Sequence, residues 1–309
     1  MVQINFRDLR YLVAVADHGH FGRAAAACCV SQPTLSTQLK KLEEYLGVQL
    51  IERTNKQVML TPTGQSIADR SRRILNDVGD IVDTARAAGD PMAGELRIGF
   101  IPTLGPYLLP HMLPALASAQ PRLRPLLHEE RTQHLLERLH RGELDAAVMA
   151  VPVDDEGLNH TTLFHEPFYL AMPADHRLAE RAAVDLADLQ SESLLLLEEG
   201  HCLRDQALDV CNMVGAREEA AFRATSMETL RQMVTAGLGM TLMPALAASA
   251  DRGAERDLVF RPFGGAAPKR EMALYWRKGA ARAPAVQALA EVIRALDAVS
   301  QMTGPETAE

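Results

Sequence analysis

Two thiols stand nine positions apart in Gly200-His201-Cys202-Leu203-Arg204-Asp205-Gln206-Ala207-Leu208-Asp209-Val210-Cys211. A thiol reacts as its thiolate, and neighbouring cations or a helix N-terminus lower its pKa. Cys202 has His201 beside it and Arg204 two positions on, at a point where a helix is predicted to begin, so an exposed, activated thiol is expected there. Leu203, Ala207, Cys211 and Val214 recur at spacings of four and three, which places Cys211 on a buried helical stripe. An unbroken helix would separate the two Cα atoms by roughly 13.5 Å, whereas a disulfide tolerates only about 4.4–6.8 Å. The bond therefore closes only if the helix unwinds, which gives the segment the character of a switch. Two observations pull the other way. Glu198 and Glu199 lie just upstream, where negative charge raises a thiol pKa, and unpaired cysteines are also good small buried hydrophobes. A zinc site from His201, Cys202 and Cys211 lacks a fourth ligand at a usual spacing, so neither metal nor cofactor is expected.

The elements that must position this segment alternate. From Gly94 onward, apolar runs at 95–100, 144–151, 168–172, 194–197, 240–243 and 272–276 read as strands. Between and after them, 107–119, 133–141, 227–236 and 285–299 read as helices. Ser226 serves as an N-cap and Gly237 as a stop for the third of these. The alternation predicts α/β sheets with ligand-facing loops, and prolines at 152, 167 and 173 predict a crossing between two subdomains. Thr103 places a hydroxyl after the first strand, and Lys269-Arg270 by itself reads as surface charge.

The N-terminal part has a different character. Helical spacing runs through 5–17 and again through Phe21, Ala24, Ala25 and Cys28. A third helix is capped by Ser31, has Pro33 in its first turn and stops before Gly47. Its buried face is Leu35, Leu39, Leu42 and Leu46, while Gln32, Thr34, Thr37, Lys40 and Lys41 face outward. Amides and hydroxyls at such a tip match base edges, and lysines meet phosphates. Residues 48–61 predict a hairpin with Arg53 and Lys56 near its tip as a DNA-contacting wing. A long helix follows from Thr61-Pro62, with Ile67, Ser71, Ile74, Val78, Ile81, Ala85 and Ala88 as a seam able to pair two chains or face a core. Gly89-Asp90-Pro91 breaks it.

The net charge of −8 at first opposes nucleic acid, but residues 1–62 hold seven Lys+Arg against five Asp+Glu, so the acidity lies in the rest of the chain. Four cysteines make no secreted framework, and no apolar run approaches the roughly 18 residues of a membrane span. A cytoplasmic protein is expected, with any disulfide transient. Cys28 and Cys29 are assigned to packing.

The string from Phe21 through Ala24-Ala25, Ser31-Gln32-Pro33, Leu39, Leu42-Glu43, Leu46-Gly47, Leu50 and Arg53 resembles the winged helix-turn-helix of LysR-type transcriptional regulators. The 200–211 segment resembles the redox segment of that family's peroxide sensors, and the resemblance covers nearly the whole chain. It implies a mainly α winged helix-turn-helix at 1–61 and a linker and dimerisation helix at 62–90. An α/β regulatory domain of two periplasmic-binding-protein-like subdomains would follow at 91–300, with a frayed tail at 301–309. It implies that Cys202 is the peroxidatic cysteine and Cys211 its resolving partner. Thr103, Thr132, His201, Arg204, Asp205 and Arg270 would organise the peroxide pocket. The partners implied are double-stranded DNA with two-fold symmetric sites, hydrogen peroxide and further copies of the chain as dimers and tetramers, with RNA polymerase a further candidate. Two rival readings are a regulator answering to a small organic effector in the cleft and a stand-alone thiol peroxidase.

Overall fold

The structure is a computed structural model that describes residues 4–53, 58–87, 90–190, 192–250, 257–265 and 267–302. It divides into two compact units, Met1–Arg86 and Ala87–Glu309.

The first unit is built from α1 (Phe6–His18), α2 (Phe21–Ala27), α3 (Gln32–Leu46), the hairpin strands β1 (Ile51–Arg53) and β2 (Val58–Leu60), and α4 (Pro62–Ala87). Short polar residues set the helix starts. Asn5 accepts from Asp8 N–H at 2.9 Å, and Ser31 Oγ accepts from Thr34 N–H at 3.3 Å. Gly47 ends α3 with φ 69°, a left-handed position that costs a side chain strain. Leu12, Leu35, Leu39, Leu50 and Ala68 close the core. Glu43 ties α3 to the hairpin by accepting from Leu50 N–H at 2.8 Å and Ile51 N–H at 3.0 Å. Gly64 lets α4 lie against the hairpin, since a Cβ there would stand 2.0 Å from the Leu50 carbonyl oxygen. The predicted seam of α4 divides. Ile67 and Ser71 turn into this unit's core or are buried, while Ile74 and Ile81 stand exposed. The side chain of Ala85 falls outside the described set, and Ala88 outside the described residues.

The second unit carries β3 (Gly94–Phe100), α5 (Gly105–Ala119), β4 (Leu123–Glu129), α6 (Thr132–His140), β5 (Ala146–Ala150) and β6 (Leu158–Pro173). Then come β7 (Ser193–Leu197), α7 (Cys202–Val214), β8 (Arg217–Ala224), α8 (Met227–Thr235), β9 (Thr241–Pro244), α9 (Ala245–Ala250), β10 (Leu258–Pro262), β11 (Lys269–Arg277), α10 (Ala283–Arg294) and α11 (Asp297–Ser300). The main sheet runs β10-β6-β11-β5-β3-β4, with β9 also on β6, and β7 pairs β8 in a separate parallel ladder. β3 is parallel to β4 and β5, while β11 is antiparallel to β5 and β6. Two apolar cores result. One gathers around Ile98, Phe100, Val148 and Leu289, the other around Leu170, Leu195, Leu230 and Leu242. β6 passes through both, so the strand expected at 168–172 is only its second half. The helix expected over 285–299 breaks at Ala295-Leu296 into α10 and α11. β4, β8 and β10 were not anticipated.

Candidate functional site

The site lies where α7 starts. His201 occupies its N-cap position and Cys202 its first turn, where the sequence predicts a helix start, and Gly215 closes it with φ 76°. Leu203, Ala207, Val210 and Cys211 form the buried face. Cys211 belongs to the second core, whereas half-buried Cys202 packs against the first. Both are free thiols. A crevice of about 160 Å³ opens beside Cys202, lined by Ile101, Pro102, Thr103, Arg131, Thr132, Gly200, His201 and Cys202.

Arg270 is a buried cation behind this crevice, bonded to its lining residue Thr103. Its side chain is fully buried, and three bonds fix its fork. Nε donates to Glu166 Oε2 at 2.8 Å, Nη1 to Thr103 Oγ1 at 2.9 Å and Nη2 to the Thr103 carbonyl at 3.0 Å. Glu166 and Arg270 are direct partners in the β6–β11 ladder. The second carboxylate oxygen of Glu166 accepts from Leu246 N–H at 2.9 Å. The pair is thus compensated on every side, as a buried charge must be. Glu166 escaped the sequence reading because its partner lies 104 residues away.

The electrostatics of Cys202 differ from expectation. Burial pushes its thiol above the ordinary value, against the Arg270 charge, the Leu203 N–H and the Thr132 hydroxyl, which favour the thiolate. The expected exposed thiol of lowered pKa is therefore corrected: desolvation outweighs the cations. His201 is no cation either. Burial, and then the Arg131 charge, holds its imidazole below its ordinary value. Its ring bonds the backbone of Thr225, and its buried Nε2 finds no partner among the described residues.

Arg204 does not face the crevice. It is buried toward β8, donating to Glu218 at 2.7 and 3.0 Å and to the Leu197 carbonyl at 3.1 Å. Asp205 is exposed on the first turn of α7 and reaches Cys202 only as a negative charge that raises its pKa. Glu198 is taken up by Arg131. So the structure gathers Thr103, Thr132, His201, Cys202 and Arg270, and sets Arg204 and Asp205 aside. Arg204 instead holds α7 to β7 and β8.

In the first unit, Gln32, Pro33, Thr34, Thr37, Lys40 and Lys41 are all exposed on α3, with Lys40 3.9 Å from Glu44. The hydroxyls of Ser31 and Thr34 lie 2.7 Å apart at its tip. Arg53 ends β1 with its side chain outside the described set, and Lys56 lies outside the described residues. Among the described residues no helix is long and apolar enough to cross a membrane.

Comparison with known proteins agrees with this division. Residues 6–65 match the bacterial regulatory helix-turn-helix protein model of the lysR family, and residues 89–298 match the LysR substrate binding domain. The DNA-binding transcriptional dual regulator OxyR of Escherichia coli K12 is 48% identical over 293 residues, covering 94% of this chain and 95% of that protein. A full-length OxyR variant from Pseudomonas aeruginosa superposes with a TM-score of 0.79 at 38% identity, over 97% of this chain and 98% of that one. A hydrogen-peroxide-bound OxyR variant from Corynebacterium glutamicum gives a TM-score of 0.66 at 34% identity, over 98% and 96%. The chain therefore belongs to the LysR family of helix-turn-helix transcriptional regulators, in its OxyR branch.

Proposed function

We propose that this chain is a hydrogen-peroxide-sensing transcriptional regulator, switched by oxidation of Cys202 and closure of a Cys202–Cys211 disulfide. One observation carries the reading. A half-buried thiol stands at a helix start between the Thr132 hydroxyl and the Arg270 charge, with a second thiol buried on the same helix in another core. The Cys202 thiolate attacks one peroxide oxygen, the O–O bond breaks, and hydroxide leaves and takes up a proton. The sulfur becomes a sulfenic acid, and Cys211 attacks it to give the disulfide and water. Thr132 and Arg270 stabilise the charge that moves from sulfur to the leaving oxygen.

Because α7 holds the sulfurs apart by roughly 13.5 Å between Cα atoms, closing the bond unwinds the helix and draws Cys211 from its core. The Arg204–Glu218 tie to β8 is strained in the same event. This is an order–disorder change of the kind that re-sets subunit contacts. The stripe of exposed Ile74 and Ile81 with half-buried Val78 between them on α4 fits a homodimer whose two helix-turn-helix units read symmetric half-sites, with tetramers assembled from such dimers. Gln32, Pro33, Thr34 and Thr37 read bases, Lys40, Lys41, Arg53 and Lys56 meet phosphates, and RNA polymerase is a further partner. The protein works in the cytoplasm, where a disulfide is transient. Each chain is oxidised once per cycle rather than turning over as an enzyme.

A small organic effector is disfavoured at this crevice, which encloses no space of the size of an ordinary ligand pocket. Footprinting of reduced and peroxide-treated protein on promoter DNA tests the reading. Protection should change on oxidation in the unsubstituted chain and stay unchanged in Cys202→Ser. Identical footprints of the unsubstituted chain in both states would overturn it.

A further inference from the structure

Three walls of the crevice are buried: Ile101 in the first core, Thr103 beneath Arg270, and His201 at 5% exposed. Arg131 is different. It precedes α6, its side chain is 39% exposed, and it reaches to the loop before α7. There it pairs with the Glu198 carboxylate and donates to the Glu199 carbonyl at 3.3 Å. Its guanidinium lies over Gly200, where a Cβ would stand 3.1 Å from Nη1. Gly200 also has φ +92°, so both the backbone turn and the close approach require a residue without a side chain. Glu198 is 35% exposed, so the pair is a surface contact that opens readily and is weakened by salt.

We propose that the Arg131–Glu198 pair is a latch over the mouth of the crevice that selects for small peroxides, making Arg131 a specificity-determining residue. The inference rests on the reading of Cys202 as the peroxidatic thiol. When a thiolate attacks a hydroperoxide, sulfur bonds to the terminal oxygen, the O–O bond breaks, and the alkoxide leaves on the side away from sulfur and takes a proton. Hydrogen peroxide needs room there only for hydroxide. A tert-butyl hydroperoxide needs room for its whole alkyl group, and the exposed guanidinium is the wall that can yield it. Replacement of Arg131 removes no helix cap, because its side chain makes no cap bond to α6.

The test uses the full-length Cys211→Ser chain, so that sulfenic acid at Cys202 is trapped with dimedone and timed by mass spectrometry. Rate constants are taken for hydrogen peroxide and for tert-butyl hydroperoxide. The ratio of the bulky to the small substrate should rise by about tenfold or more in Arg131→Gln, the scale on which pocket walls discriminate alkyl groups. Glu198→Gln, which frees the arginine, should move the ratio the same way by less. In the arginine-containing chain the ratio should also climb as salt is raised from about 0.01 to about 1 M, which shortens the Debye length from about 30 to about 3 Å. In Arg131→Gln that salt dependence should vanish. A ratio indifferent to both substitutions and to salt, with rapid hydrogen peroxide oxidation of Cys202, overturns the latch alone. Hydrogen peroxide oxidation of Cys202 no faster than that of free cysteine overturns the peroxidatic reading beneath it.

Discussion

The two ends of α7 stand in contrast. At its N-terminus Cys202 is half-buried, bonds a hydroxyl, feels the Arg270 charge and borders a crevice. At its C-terminal end Cys211 is 3% exposed among Leu203, Ala207 and Val210, and burial pushes its thiol up. Both thiols are raised by desolvation; Cys211 has a backbone N–H to favour its thiolate, whereas Cys202 has a hydroxyl and a cation as well as an N–H, and borders an opening. Reactivity here follows from the company a buried thiol keeps, since burial alone disfavours both. Drawing Cys211 out exposes apolar side chains at roughly 1.5–3 kcal/mol for each large one. A short disulfide loop restrains the unfolded chain by a comparable amount, about 3 kcal/mol.

The contrast is broken most completely at the sulfurs. Cys202→Ser should abolish peroxide-dependent modification and every change in DNA protection, whereas Cys211→Ser should still accumulate sulfenic acid at position 202 and form no intramolecular disulfide. Trapping followed by peptide mapping checks both.

Next in size is the charge pair behind Cys202. Glu166→Ala leaves Arg270 buried and unpaired and should lower unfolding stability by about 3–5 kcal/mol in urea titrations. Glu218→Ala, at the partly exposed pair that anchors α7 to β8, should cost distinctly less. Equal losses would erase the distinction between the fully buried Arg270 behind the crevice and Arg204 of the helix.

Thr132→Val removes a hydroxyl bond to the thiolate, about 1.5 kcal/mol for a bond to a charged group, and should slow Cys202 oxidation by about tenfold in stopped-flow measurements. Because the Cys202 pKa lies above the ordinary thiol range, the same rate should climb by about tenfold per pH unit through neutrality and beyond, without levelling near pH 7. The smallest effect belongs to His201. Its folded value is depressed, so the unfolded chain takes up the proton first. Stability is complete above the ordinary imidazole value of about 6.5 and falls as pH drops below it. His201→Gln should flatten that acid limb in thermal melts.

Local signals carried much of the fold. Ser31, Pro33 and Gly47 bracket α3, Ser226 accepts from Thr229 N–H at 3.1 Å to cap α8, and the start of α7 falls where the cysteine segment places it. What stayed hidden depends on distant partners. β8 reads Arg-Glu-Glu-Ala-Ala-Phe-Arg-Ala, a helix-favouring composition that is held as a strand by pairing with β7 and by Glu218 reaching Arg204. β4 contains Pro125, which argues against a central strand, and the strand indeed lies at the edge of its sheet. β6 spans 16 residues, well beyond a usual strand, so only its part after Pro167 read as one. In the site, Thr103, Thr132 and Arg270 came from the family resemblance. Glu166 and Arg131 act through groups 104 and 67 residues away and carry no local mark. Arg204 was misplaced because a sequence neighbour on a helix two positions on faces elsewhere.

The central claim is that the fold keeps Cys202 and Cys211 apart and that their bond forms only at the expense of α7. Amide hydrogen exchange across 202–214, measured before and after one equivalent of hydrogen peroxide and paired with disulfide mapping, tests it most directly. The account predicts a Cys202–Cys211 bond accompanied by loss of protection throughout that stretch. The same bond with protection retained would contradict it.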